Sequence, residues 1–217
     1  MAAWISCLRG KQRDDMIAQM GGGSDVPKVP YCGRSMFYQE AGEGPVLIFL
    51  HGNTASSRLF EPLLPLYTPH FRCVLLDFLG NGRSDRVESF PADLWQEEAR
   101  QALALIRAAG YERPCLLGTS GGAWAAMNAA LLAPGAVGAV VADSFDGRSL
   151  HPGFARDLTA ERDRAKRDEA AREFYAWCQD RTGRRWWTGT RMPCCDAPPP
   201  DGRCSAARWS RCGRQCS

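Results

Sequence analysis

A chain of 217 residues that is 45% hydrophobic and 10% aromatic can bury one sizeable core and is short for two. Its net charge of +3 is unevenly placed: eight arginines and two aspartates make residues Arg181 to Ser217 +6, which leaves residues 1–180 at −3. That tail has no nucleic-acid reading motif and no helical face on which to align its arginines, and no run of about eighteen apolar residues offers a membrane span, so neither nucleic acid nor membrane is an expected partner.

The start, MAAWISCLRGKQRDDM, is broken by charge at Arg9, Lys11, Arg13, Asp14 and Asp15 before an apolar core of signal-peptide length accumulates, and a cytoplasmic location is expected. Of the ten cysteines, five fall between Cys194 and Cys216. Without an export signal, a tail histidine or a C-x-x-C pair, they fit neither a disulfide framework nor a zinc site, so no metal and no cofactor are expected.

Residues 1–30 carry little pattern, and GGGSDVP (Gly21 to Pro27) reads as the end of a flexible N-terminal extension. A core is expected over residues 31–150. It opens with two short strand-like pieces about Gly33. PVLIFLHGN then holds an unbroken run of β-formers from Val46 to Leu50, the composition of a parallel strand buried on both faces. SSRLFEPLLPLY predicts a short helix, FRCVLLDF a second buried strand and LGNGRSD a loop. From Asp93 to Ala109, Trp95, Ala99, Ala102, Leu103 and Ile106 recur at helical spacing, with Gly110 placed to cap. CLLGTS is a third strand, Gly122 to Leu132 a small-residue helix and AVGAVVADS a fourth strand. This alternation predicts an α/β fold: a mostly parallel sheet with helices on both faces.

Gly118, Thr119, Ser120, Gly121 and Gly122 satisfy G-x-S-x-G between a strand and a helix, the context that motif requires. Glycines are needed because a sharp strand-to-helix turn strains the serine backbone and leaves no room for neighbouring side chains. The serine is lifted over the sheet with a helix N-terminus behind it, where negative charge is favoured.

With HGN at His51 to Asn53, DFLGNGRSD at Asp77 to Asp85 and GTSGGA at Gly118 to Ala123, the stretch from about Tyr31 to Leu150 resembles the α/β-hydrolase superfamily. The resemblance implies a serine hydrolase acting on a small-molecule ester or related carbonyl substrate. Ser120 would be the nucleophile, the backbone N–H groups of Asn53 and Gly121 the oxyanion hole, and Asp143 a candidate acid. It implies loop-shaping roles for His51, Asp77 and Asp85.

A serine needs a base that is itself oriented by an acid, and the resemblance implies the order serine, acid, histidine. The sequence holds His51, His70 and His151. His70 precedes a strand, at the wrong end of the sheet, and His151 stands beside Pro152 at the entrance to the next segment. Asp143 and Asp146 have structural alternatives as anchors of that segment.

Residues 151–180 are expected to form a lid: a charged helix from Asp157 to Gln179, with opposite charges four apart at Asp163–Arg167, Arg164–Asp168 and Asp168–Arg172 and an aromatic end. Residues 181–217, rich in Arg, Cys, Trp, Pro and Gly, show no strand-length apolar run. Their shared G- and C-rich codons suggest a shifted reading frame, so a disordered tail is expected, with a fold incomplete on its C-terminal side. The sheet edge along AVGAVVADS would then be exposed, and the activity weak or absent. A non-catalytic binding protein, a non-functional truncated product and a metal- or nucleic-acid-binding tail on a hydrolase-like body are the alternatives.

Overall fold

The two apolar runs marked as buried strands lie side by side in one six-stranded sheet. In the computed structural model, which describes residues 27–145, 147 and 152–179, β1 (Lys28–Tyr31), β2 (Arg34–Ala41), β3 (Val46–Leu50), β4 (Arg72–Leu76), β5 (Cys115–Thr119) and β6 (Ala139–Asp143) take the order β1-β2-β4-β3-β5-β6. The pairs β4–β3, β3–β5 and β5–β6 are parallel, and β1–β2 and β2–β4 antiparallel. The expected tail, His151, Asp146 and most of the expected N-terminal extension lie outside the described residues.

The first strand starts at Lys28, ahead of the sequence boundary at residue 31. Prolines at 27 and 30 hid it, but an edge strand tolerates proline, and Val29 is buried against the core. Cys32 at φ 47° and Gly33 at φ 73° supply the two left-handed residues that a two-residue hairpin turn needs.

Alternation in β3 and β4 sends Ile48, Leu50, Val74 and Leu76 to one face and Leu47, Phe49, Cys73 and Leu75 to the other. A 3-10 segment (Ser57–Leu63) running into α1 (Leu64–Tyr67) covers the second face with Phe60 and Leu64. The first face is covered by α2 (Leu94–Ala109) and α3 (Gly121–Leu132). All five apolar positions read at helical spacing in α2 are buried, and Gly110, at φ 68°, closes it with N–H bonds to the Ile106 and Arg107 carbonyls.

The charged segment is two helices, α4 (Phe154–Arg167) and α5 (Glu169–Cys178), where one was expected. Asp168 is extended (φ −83°, ψ 125°), and its carboxylate accepts the Ala171 N–H at 2.7 Å, an N-cap that starts a new helix rather than continuing the old one. Charge pairing shifts accordingly, and Asp163 meets Lys166 at 3.4 Å. At the other side of the sheet, β6 is the edge among the described residues, with Val141 52% and the nearby helical Leu131 75% exposed.

Candidate active site

Between the end of β5 and the start of α3, Ser120 takes φ 53° and ψ −119°, a conformation that costs a non-glycine residue about 1–3 kcal/mol. Its surroundings hold it there. The Ser120 N–H donates to the Asp143 carbonyl at 2.9 Å, and the Ser120 carbonyl accepts the Ala123 N–H at 2.9 Å. The flanking glycines are dictated by backbone: a Cβ on Gly118 would lie 2.1 Å from the Gly122 carbonyl oxygen, and one on Gly122 would lie 2.0 Å from that of Leu50. Ser120 itself is exposed, and the first N–H groups of α3, Gly121's among them, have no intrahelical acceptor.

The loop after β3 packs directly on this bend. A Cβ on Gly52 would sit 3.2 Å from Ser120 Cβ and 3.7 Å from Ser120 Oγ, and one on Gly121 would sit 2.1 Å from Asn53 Oδ1. Asn53, Gly121 and Ser120 thus lie together. Asn53 Oδ1 accepts the Trp95 Nε1–H at 3.0 Å, and Thr54 follows at φ 63°. Trp95 stacks on Trp124 with centroids 4.9 Å apart, and Phe145 and Phe154 extend this aromatic wall.

Asp143 ends β6 opposite Thr119, whose Oγ1 donates to the Asp143 carboxylate. The described histidines are committed elsewhere. His51 is 1% exposed; its Nε2 accepts the Phe78 N–H at 3.1 Å and its Nδ1 lies 2.9 Å from the Gly52 carbonyl, which assigns the proton to Nδ1. Burial lowers its pKa against the opposing charge of Asp77, so the ring is a neutral strut. His70 lies in the turn before β4, at the end of the sheet away from Ser120. Asp77 accepts the Ser57 N–H at 2.7 Å and the Arg83 N–H at 2.8 Å, and Asp85 accepts the Ser35 N–H at 2.8 Å; both hold loops. Burial pushes the Cys178 thiol up to about 12, which keeps it protonated.

Two residues that the sequence did not flag join this site. Arg162 of α4 reaches the loop of Asn53 and Thr54, and Gln179, fully buried after α5, bonds to the same loop and to the one around Asn81. Arg162 is one charge among many on a polar helix, and Gln179 closes a segment with no motif. The Trp95 bond had a sequence signal, since a buried indole N–H seeks an acceptor.

Among the described residues, no group of three or more His, Cys, Asp or Glu side chains is placed to hold a metal ion, and no helix is long and apolar enough to cross a membrane.

Known proteins resemble this chain in sequence and in fold. The chain is 32% identical over 133 residues to a 2-(acetamidomethylene)succinate hydrolase of Mesorhizobium japonicum, a match covering 60% of this chain and 47% of that protein. It is 39% identical over 64 residues to a haloalkane dehalogenase of Bradyrhizobium diazoefficiens, covering 29% of this chain and 21% of the relative. The chain therefore spans half or less of the curated relatives it matches. The crystal structure of E-2-(acetamidomethylene)succinate hydrolase superposes with a TM-score of 0.57 at 29% identity, over 70% of this chain and 57% of that one. The family model described as "alpha/beta hydrolase fold" matches residues 45–211. That match takes in the loop of Asn53, the strained serine and the parallel strands beneath them, and the chain belongs to the alpha/beta hydrolase fold family.

Proposed function

We propose that this chain is a serine hydrolase of small-molecule esters or related carbonyl compounds. Ser120 Oγ attacks the substrate carbonyl carbon, and the oxygen that gains negative charge is received by the N–H groups of Asn53 and Gly121 at the N-terminus of α3. The observation that carries this reading is Ser120 at φ 53°, lifted from the sheet against Gly52 and beside Asn53. The names of the hydrolase relatives support the reaction class. Asp143 is the candidate acid, and α4–α5 are read as the lid.

Neither described histidine is available to take the serine proton, since His51 has both ring nitrogens occupied. The order serine, acid, histidine leaves this chain with His151 alone after Ser120, and low turnover is the expected behaviour. The same observation favours a second reading: a binding protein that keeps the aromatic wall and does no chemistry.

A fluorophosphonate probe separates the two. Attack by Ser120 forms an Oγ–P bond, breaks the P–F bond and releases fluoride, with the hydroxyl proton passing to solvent. Slow labelling of the wild type that vanishes in Ser120→Ala is expected. Labelling that persists in the variant refutes Ser120 as the nucleophile, and an unlabelled but folded wild type favours the binding protein.

A further inference from the structure

The loop that carries Asn53 is clamped by the helix pair. Thr54 sits at φ 63°, a region that a β-branched residue enters only under constraint. Its own hydroxyl donates to the Asn53 carbonyl at 2.5 Å, and the loop is turned by the Ala55 N–H donating to the Gly52 carbonyl at 3.2 Å. Among the described residues, further side-chain bonds to this loop come from α4 and from Gln179 at the end of α5. Arg162 Nη1 donates to Thr54 Oγ1 at 2.9 Å, and its Nη2 donates to the Asn53 carbonyl at 3.3 Å. Gln179 Nε2 donates to the Thr54 and Ala55 carbonyls at 2.7 and 2.9 Å.

The guanidinium is itself braced. Nη1 also donates to the Tyr175 hydroxyl at 2.7 Å, and the group lies 5.3 Å from the Tyr175 ring centroid, so its position is set across both helices. Two nitrogens in a rigid fork take the Thr54 hydroxyl and the Asn53 carbonyl together, a task that a lysine ammonium, with one nitrogen, cannot duplicate.

We propose that Arg162 is a positioning residue: through its fork, docking of the helix pair on the core holds Thr54 left-handed and so fixes the peptide chain that presents the Asn53 N–H to the oxyanion. The role in reactivity rests on the reading of Ser120 and Asn53 above, whereas the clamp on the loop does not. Without the fork, Thr54 relaxes toward an ordinary backbone region, and the Asn53–Thr54 peptide rotates with it.

The test uses the full chain as wild type, Arg162→Ala and Arg162→Lys, with two readouts: amide hydrogen exchange over residues 53–57, and the saturation kinetics of fluorophosphonate labelling. In Arg162→Ala, exchange at the loop should rise about tenfold, and the maximal labelling rate should fall about tenfold with the half-saturating probe concentration unchanged. Arg162→Lys should be intermediate in both. Loop exchange equal to wild type overturns the proposal, as does exchange that rises throughout the molecule, which would make Arg162 a general stability residue. A rise confined to the loop with no protein labelled supports the clamp and removes the serine reading. Where Arg162→Ala does not fold, Arg162→Lys carries the test: a rise confined to the loop supports the clamp, and none overturns it.

Discussion

At position 121 the bend admits no side chain beyond hydrogen. A Cβ there would lie 2.1 Å from Asn53 Oδ1, and the Trp95 indole N–H, bonded to that oxygen at 3.0 Å, keeps it from yielding. Gly121→Ala should therefore displace the Asn53 loop at an overpacking cost of about 1–3 kcal/mol. A fall of at least about tenfold in labelling rate, with an unchanged far-UV circular dichroism spectrum, is the expected outcome. Gly118 and Gly122 were legible in the sequence because glycine records where backbones touch, whereas Ser120, Gly121 and Asn53 were pointed to by the family resemblance. Arg162 and Gln179 were not legible, since their partners in the loop of Asn53 to Ala55 lie more than a hundred positions away and nothing local distinguishes a clamping arginine from a solvated one.

Among the elements, strands with unbroken apolar runs and the helix with a regular buried stripe were legible because burial on both faces, or on one face at period 3.6, leaves its mark in the residues. The break between α4 and α5 was not. The same aspartate that fits a run of opposite charges at helical spacing is also a strong N-cap, and the local bond to Ala171 won. Asp168→Ala should cost about 1 kcal/mol. Because the cap serves α5, the loss should register as faster amide exchange over residues 169–175, while exchange in α2 stays as in wild type. Equal exchange in α5 would mean that contacts with the core, and not the cap, set its start.

For the molecule as a whole, pH acts through two buried groups with opposite signs. Glu98 on α2 is 3% exposed, its Oε2 without a hydrogen-bond partner among the described residues. Burial, and then the charge of Glu97, raise its pKa well above 4.5. The folded state thus keeps a proton that the unfolded chain sheds, and this contribution to stability is whole below pH 4.5 and lost as pH rises through the folded-state value. His51, lowered from 6.5, contributes fully above pH 6.5 and loses that contribution as pH falls through its folded-state value. Urea midpoints measured from about pH 4 to 9 should decline toward both ends. Glu98→Gln should abolish the decline on the alkaline side and leave the His51-dependent decline, which would then extend from pH 6.5 downward unopposed. The edge that β6 forms among the described residues adds a further expectation: Val141→Lys should raise the protein concentration at which light scattering begins, because a charge on an edge strand opposes pairing between copies.

The carboxamide of Gln179 hands its nitrogen to three oxygens, those of Thr54, Ala55 and the Asn81 side chain, and its oxygen to the Gly82 N–H and the Arg86 guanidinium. Glutamate has almost the same shape, yet it would turn a second oxygen on those three, and even with its proton it would have a single O–H to donate among them. Exchanging one nitrogen for one oxygen, as deamidation does, would set a further oxygen against those three acceptors and loosen the tie between the helix pair and the loops of Thr54 and Asn81.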